Sequence, residues 1–466
     1  MKKINIFLLF TILSVSLALA DQPIQRHPRN PHYFLFREKP VILITSAEHY
    51  GAVLNLDFNY IPYLDALQKD GMNLTRTFSG AYCEKPGEFK IEKNTLAPLP
   101  NRFICPWARS DQPGYRFSGN KFDLSSWDDA YFRRLKNFVA EAGKRDIVVE
   151  LVFFCPFYNP TLWTLSPMNS INNINAYSDV SSTEPYTLKD ERLTAAQGAM
   201  VRKIVEELNP FDNLYYEICN EPYFGGVTLD WQKHIAETIV KTESALPNKH
   251  LIAQNIANGS AVIGDPNPNV SIFNYHYAYP PDAIAQNYHL NRVIGYDESG
   301  FSGSGDDKYR GDAWAFILAG GGVFNNLDYS FTIENENGIA GQNAPGGGSP
   351  ALRKQLNILQ DFMQTFDFIH MKPNHSLLTI IQGSPETRGW VLANEGKEYA
   401  VYLRKGNQAS ISLKAPRGVY SAEWINTITG EIDQFQRRIN HMGVEIKLES
   451  PQYTEGIALR LKKVDS

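Results

Sequence analysis

The sequence predicts an α/β protein, a (β/α)8 TIM barrel followed by a small C-terminal antiparallel β-sandwich, and three observations carry that expectation. Short apolar runs alternate with amphipathic stretches eight times between about residues 40 and 370. No G-x-G-x-x-G fingerprint accompanies them. From about Lys372 the texture changes to strand-length runs separated by turns. Eight alternating units predict parallel strands, and a closed barrel is their natural arrangement. An open doubly wound sheet is the structural alternative, but it rarely reaches eight units without a nucleotide fingerprint. The expected organisation is a leader over 1–20, a barrel over 21–371 and a sandwich over 372–466.

The leader reads as a secretory signal peptide. Lys2 and Lys3 precede an apolar run from Ile4 to Ala20, which ends in the small-x-small sequence Ala18-Leu19-Ala20. Cleavage is expected after Ala20, with an uncleaved anchor as the alternative. No Cys follows the cut, so a lipoprotein anchor is not indicated. No later stretch is long and apolar enough to span a bilayer. The mature protein is expected to be soluble and either secreted or periplasmic.

The barrel elements follow in order. The first strand is Val41–Thr45, and its helix runs from about Ile61 to Lys69, stopped by Asp70-Gly71. The second strand is Met72–Thr77. A segment rich in Pro, Gly and aromatic residues then extends from about Ser79 to Ser126 and reads as one large loop. A strongly patterned helix covers about Trp127 to Ala142, with Asp123 or Ser126 as its cap and Gly143 as its stop. The remaining strands are expected at Ile147–Phe154, Asn213–Cys219, Leu251–Gln254, Ser271–Tyr275, Arg292–Tyr296 and Gly322–Leu327. Helices are expected near 194–208, 231–246, 312–318 and 351–366. The Gly346-Gly347-Gly348 tract falls in the connection after strand eight, on the face where a barrel carries its site.

The net charge is −5 and no Lys/Arg run is present, so nucleic-acid binding has no electrostatic support. Four cysteines occur. An exported chain permits disulfides, and Cys83 with Cys105, in one loop, is the favoured pair. Cys155 and Cys219, near the ends of neighbouring strands, either bond or are small buried residues.

Chemistry in this architecture sits at the C-terminal strand ends. Strand four ends Tyr216-Glu217-Ile218-Cys219-Asn220-Glu221-Pro222, and strand seven ends Gly295-Tyr296-Asp297-Glu298-Ser299-Gly300. Each puts a carboxylate at the rim, on strands that face one another across the barrel mouth. Two converging carboxyl groups suit glycosidic cleavage, where one gives a proton and the other attacks the sugar. The strand-four sequence resembles the motif of the (β/α)8 clan of retaining glycosidases that includes glycoside hydrolase family 5. The resemblance implies that Glu221 is the acid/base, that Asn220 holds the sugar 2-hydroxyl, and that Glu298 is the nucleophile. It further implies that Arg76, in Leu74-Thr75-Arg76-Thr77, steadies the nucleophile, and that Asn274-Tyr275-His276-Tyr277 supplies the strand-six pair. Two departures mark a distant branch. The family spaces that pair as His-x-Tyr, whereas Ala278 stands two residues after His276, so Tyr277 or Tyr275 must serve. The Trp that often ends strand eight is missing, and Tyr329 is the expected sugar platform.

Side-chain alternation predicts that only one of Asp297 and Glu298 faces the centre, and Glu298 is preferred. Glu217, mid-strand, is expected to be a buried partner of a barrel Arg. Ser46, Glu48, His49 and Tyr50 follow strand one, where a polar cluster either binds sugar hydroxyls or packs the loop. Glu48 and His49 are retained as binding candidates. Trp107, Tyr158, Trp163, Tyr223 and Phe224 are loop aromatics available for stacking. The expected chemistry is double displacement on a β-linked glycan, with no metal or organic cofactor, and with the Glu221 pKa raised by its negative neighbour. A carbohydrate-binding protein on an inactive barrel and a metal-dependent barrel hydrolase are the rivals. The latter calls for His or Asp/His clusters at strand ends, which the sequence does not display.

Overall fold

The computed structural model describes residues 22–175, 179–341 and 346–464. The leader lies outside these. Eight parallel strands form the barrel: β1 (Leu43–Ala47), β2 (Leu74–Phe78), β3 (Val148–Phe154), β4 (Leu214–Cys219), β5 (Ile252–Asn258), β6 (Ile272–His276), β7 (Val293–Ser299) and β8 (Val323–Leu327). They pair in the order β1-β8-β7-β6-β5-β4-β3-β2. The seam between β1 and β2 is bridged by a side chain rather than a full ladder. Asn73 Oδ1 accepts from Ile44 N (2.8 Å), and its Nδ2 donates to Ile42 O (2.9 Å).

Seven helices surround the strands: α1 (Tyr60–Lys69), α2 (Asp129–Gly143), α3 (Glu191–Leu208), α4 (Leu229–Ser244), α5 (Asp282–Asn287), α6 (Asp306–Leu318) and α7 (Pro350–Gln364). Side-chain caps set the starts of α1, α2, α3, α4 and α7. Asp128, not Asp123 or Ser126, caps α2 by accepting from Ala130 N and Tyr131 N. Asp123 instead accepts from Ser125 and Ser126 beside it and from Asn175, beyond β3 in the chain. α2 then buries Tyr131, Phe132, Leu135, Phe138, Val139 and Ala142, the three-and-four spacing of one helical face.

The segment after β2 is not one loop. It folds back as an antiparallel hairpin of Trp107–Pro113 on Asn120–Trp127, anchored by buried Trp107, Phe122 and Leu124. The floor of the barrel is closed by Ile24, Phe34 and Phe36 from the leading segment, packed on the first residues of the strands, including Leu43, Leu74, Val148 and Val323.

Beyond α7 come β9 (Lys372–Pro373), β10 (Leu378–Gln382), β11 (Arg388–Asn394), β12 (Glu398–Arg404), β13 (Ser410–Lys414), β14 (Gly418–Asn426), β15 (Ile432–His441), β16 (Glu445–Glu449) and β17 (Gly456–Lys463). A six-stranded sheet, β9-β11-β12-β17-β14-β15, faces a three-stranded sheet, β10-β13-β16, across a separate apolar core. This sandwich is seated on α6. Trp314 stacks on Tyr402, which stacks on Trp390, and Arg404 Nη1 donates to Asp312 Oδ1 (2.8 Å). Gly311 permits the approach, because a Cβ there would meet the Arg404 guanidinium at 2.7 Å. Among the described residues, no helix is long and apolar enough to cross a membrane.

All four cysteines are free and buried. Cys105 Sγ donates to Trp107 O (3.6 Å), and burial pushes the Cys83 thiol up to about 12. Phe154 lies opposite Cys219 in the β3–β4 register, so Cys155, one residue on, starts on the other face. Cys155 Sγ faces Tyr158 and Asn220, while Cys219 Sγ donates to Asn220 O.

Candidate active site

A pocket of about 490 Å³ opens at the C-terminal strand ends. Glu221 and Glu298 both line it, together with His49, Tyr50, Asn220 and Tyr277. Glu221 follows β4 and Glu298 lies near the end of β7. Oxygens of the two carboxylates and a ring nitrogen of His276 all lie within 4.8 Å of one another.

Five residues lining the pocket hold left-handed backbone without being glycine: Tyr50 (φ 61°), Phe89 (φ 52°), Glu221 (φ 37°), Tyr277 (φ 50°) and Phe301 (φ 53°). Such conformations cost about 1–3 kcal/mol each and persist where the surroundings over-determine them. At Tyr277 the consequence is direct. A plain strand would send His276 and Tyr277 to opposite faces. The turn of the backbone brings Tyr277 back inward, where its hydroxyl donates to Glu298 Oε1 (2.7 Å). Tyr277 therefore serves where the usual spacing would use the next residue, and Tyr275 points away, donating to Ala261 O (2.8 Å).

Glu298 also accepts from Tyr50 Oη (3.2 Å), and Arg76 Nη1 stands 3.7 Å from Glu298 Oε2. Arg76 is fully buried and does not line the pocket. Its guanidinium lies over the Tyr50 ring and donates to Glu217 and to Asn220 Oδ1 (3.0 Å). Glu217 is thus the buried partner of a barrel arginine that its mid-strand position predicts.

The expectation that only one of Asp297 and Glu298 turns inward is corrected. Register shifts on both sides of β7 break the simple alternation. Asp297 is fully buried beneath the pocket, with Oδ1 3.2 Å from His276 Nε2 and Oδ2 3.5 Å from Arg76 Nε. Glu298 alone of the two reaches the cavity.

Glu221 is surrounded by donors: Tyr158 Oη (2.6 Å), Tyr223 Oη (3.1 Å) and His276 Nδ1 (3.1 Å). Burial alone would raise its pKa, but His276, Tyr158 and Tyr223 together draw it below the usual carboxylate value. The expected upward shift is therefore reversed in the resting protein. Tyr158 also accepts from Asn220 Nδ2 (2.9 Å), which fixes Asn220 between Arg76 and Tyr158.

His49 lines the pocket with Nε2 3.7 Å from Glu84, a residue delivered by the segment after β2. Burial opposes its charge, but Glu84, Glu298 and Glu48 raise its pKa overall. Glu48 does not reach the cavity. It is fully buried and accepts from Gly51 N, Ala52 N and Thr95 Oγ1, which ties the β1 loop to the excursion. Burial lifts it to about 7. Tyr329 is also no platform at this pocket. It stands behind His49 and Phe301, packed close under Gly346, and lines a separate cavity of about 210 Å³. Of the residues singled out in the sequence, Glu221, Glu298, Asn220, Tyr277, His49, Tyr50, Tyr158 and Phe224 face the pocket. Arg76 and His276 act beneath it, and Glu48 and Tyr329 lie behind its wall. Local sequence gives no signal for Glu84, Phe89, Asn258 or Phe301 as lining residues.

Two acidic trios converge after all at the strand ends: Glu221, His276 and Glu298 above, and Glu150, Glu217 and Asp297 below. Both face N–H and O–H donors. In the lower trio, Asn274 Nδ2 stands 2.9, 2.9 and 2.7 Å from Glu150, Glu217 and Asp297, with Arg76 alongside. The space a cation would need there is taken by an amide and a guanidinium. Burial, Asp297 and Glu217 push Glu150 well above the usual range, and burial lifts Glu217 to about 7 against the pull of Arg76.

Residues 101–321 match the family model for cellulase, glycosyl hydrolase family 5. The match runs from within the excursion through α6 and so contains both Glu221 and Glu298. Solved structures share the fold of this chain. A family 5 glycoside hydrolase from Bacteroides vulgatus is 12% identical over 95% of this chain and 94% of its own, with a TM-score of 0.62. A second B. vulgatus protein, provisionally assigned to the glycoside hydrolases, is 13% identical over 95% of this chain and 83% of its own, with a TM-score of 0.67. A further glycoside hydrolase is 13% identical over 96% and 98%, with a TM-score of 0.61. At such identities the likeness is one of fold. No curated protein sequence matches the chain.

Proposed function

We propose that the protein is an exported, retaining glycoside hydrolase acting on β-linked oligo- or polysaccharide, with Glu298 as nucleophile and Glu221 as acid/base. The observation that carries this reading is the spacing of the two carboxylates, whose nearest oxygens lie within 4.8 Å across one pocket. Retention needs carboxyl groups about 5–5.5 Å apart, whereas inversion needs about 6.5–9.5 Å to admit a water. Glu298 attacks the anomeric carbon while Glu221 protonates the leaving oxygen, and Glu221 then activates the water that releases the sugar. Tyr50 and Tyr277 aim the nucleophile by hydrogen bonds to its two oxygens. Asn220, His49 and Glu84 are placed to receive sugar hydroxyls. The aromatic groups Phe89, Phe224 and Phe301 at the pocket offer ring faces for stacking.

The test is incubation with a panel of 2-deoxy-2-fluoro glycosides, followed by intact mass and peptide mapping. A label on Glu298 is expected, and the sugar that labels names the substrate class. A label on Asp297 would move the nucleophile. No label and no turnover across diverse glycans, with glycan binding that survives Glu221→Gln, would replace the enzyme by a binding protein. Export is read separately: the mature protein should begin at Asp21.

A further inference from the structure

Protonating the leaving oxygen requires a proton at the moment the glycosidic bond breaks, yet Glu221 is arranged to be ionised. It accepts from two tyrosine hydroxyls and from His276 Nδ1, and these outweigh its burial. The nearest group built to hold a proton is His276. It is fully buried, and among the described residues no cation is in contact with either ring nitrogen. From β4, Glu221 Oε1 stands 3.1 Å from Nδ1. From β7, Glu298 Oε1 stands 3.6 Å from Nδ1, and Asp297 Oδ1 stands 3.2 Å from Nε2. Arg76 on β2 approaches the other oxygen of Asp297. Three carboxylates around one imidazole favour its protonated form. Burial disfavours its charge, but Glu298 and Asp297 raise its pKa well above the ordinary value.

We propose that His276 stores the catalytic proton and relays it through Glu221, with Asp297 as the positioning residue whose charge, 3.2 Å from Nε2, keeps a proton there. This rests on the double-displacement reading above. In the first step the Nδ1–H bond breaks and an O–H bond forms on Glu221 Oε1. Glu221 passes that proton to the glycosidic oxygen as its bond to the anomeric carbon breaks, and the bonding electron pair leaves with the oxygen. Glu298 forms the ester to the same carbon. In the second step water attacks that carbon and loses a proton to Glu221, and the ester electron pair returns to Glu298. The proton moves back to Nδ1, so the cycle consumes one glycoside and one water.

The arrangement times its own release. Glu298 is the largest of the charges that raise the His276 pKa. When Glu298 becomes a neutral ester, that charge disappears, and the imidazolium gives up its proton at the step that consumes one. Asp297, which forms no ester, keeps its charge beside Nε2 throughout. The same logic is general for groups whose proton affinity is set by a neighbouring charge.

The test begins without any substrate. In the full-length protein with nitrogen-15-labelled histidine, the His276 signals, identified by their loss in His276→Gln, should show both ring nitrogens protonated at pH 7. Glu298→Gln, which removes the charge as the ester does, should lower the His276 titration midpoint by about one pH unit or more, and Asp297→Asn should lower it too. A His276 ring with one bare nitrogen at pH 7, or a midpoint unmoved in Glu298→Gln, overturns the proposal. Kinetics add a readout that a structural role would not move. The rate ratio between 2,4-dinitrophenyl and 4-methylumbelliferyl glycosides of one sugar should rise about a hundredfold in His276→Gln, because only the second leaving group needs the proton. Equal losses on both also overturn it. If no glycoside is turned over by the native protein while the ring is an imidazolium, the hydrolase reading falls instead.

Discussion

Replacing Arg76 with methionine keeps a similar buried length and removes the guanidinium. The side chain is fully buried and faces four carboxylates: Glu217 in direct contact, Asp297 at 3.5 Å, Glu298 at 3.7 Å and Glu150 at 3.8 Å. Removing one partner of a buried ion pair costs about 3–5 kcal/mol, because the other is left without compensation. Proton uptake limits that cost. Burial already lifts Glu217 to about 7 despite the pull of Arg76, and without that pull its carboxyl holds a proton to higher pH. A carboxyl with a raised folded-state pKa binds more protons folded than unfolded, so its stabilisation is complete below the ordinary value near 4.5 and is lost as pH rises through the raised one. The deficit of Arg76→Met should therefore grow from about 1–2 kcal/mol at pH 5 to about 3–5 kcal/mol at pH 8. Urea unfolding of both proteins at the two pH values measures it. A deficit that does not change with pH, or one below about 0.5 kcal/mol at pH 8, would refute Arg76 as the counter-charge of the buried acids.

Tyr277→Phe removes a hydrogen bond to an ionised oxygen, worth about 1.5–3 kcal/mol, and should lower kcat/KM about ten- to a hundredfold on an aryl glycoside of the preferred sugar; an unchanged value would separate Tyr277 from the nucleophile. Asn73→Ala opens the β1–β2 seam and leaves Ile44 N and Ile42 O without their partner, at a cost of about 2–4 kcal/mol in urea unfolding. Turnover by the folded Asn73→Ala protein should persist, because the seam begins at the opposite end of the strands from the pocket. Trp314→Ala removes the ring that joins α6 to Tyr402 and should cost about 3–5 kcal/mol. Calorimetry should then resolve barrel and sandwich as two transitions, and a single transition at the parent temperature would show that Trp314 does not couple them.

The barrel was legible because parallel strands buried on both faces read as nearly continuous apolar runs, as in Val148–Phe154, while the intervening helices keep their own period. The two carboxylates were legible because strand ends are where a barrel presents chemistry, and Glu221 and Glu298 sit there. What was not legible depends on departures from regular backbone and on distance along the chain. Glu298 joins the inward-facing Asp297 through register shifts, and Tyr277 turns inward through a left-handed turn, neither of which a pattern of apolar and polar residues encodes. Glu84 meets His49 only because a long excursion returns to the rim. Glu48 had the right position, but its oxygens are consumed by the loop it ties down. The hairpin at Trp107–Trp127 is pinned by a few buried aromatic residues, too few to set a period.

The floor of the barrel bears on how the molecule can be made and altered. Its stopper comes from residues 24–36, yet the sockets it fills are spread along nearly the whole barrel sequence: Phe34 meets Tyr215, Ile24 N donates to Asp212 O, and Val323 closes the ring. A chain emerging in order carries the stopper long before its seat exists, so these apolar side chains must wait in the open until strand eight arrives. Trimming into this stretch removes core rather than a tail.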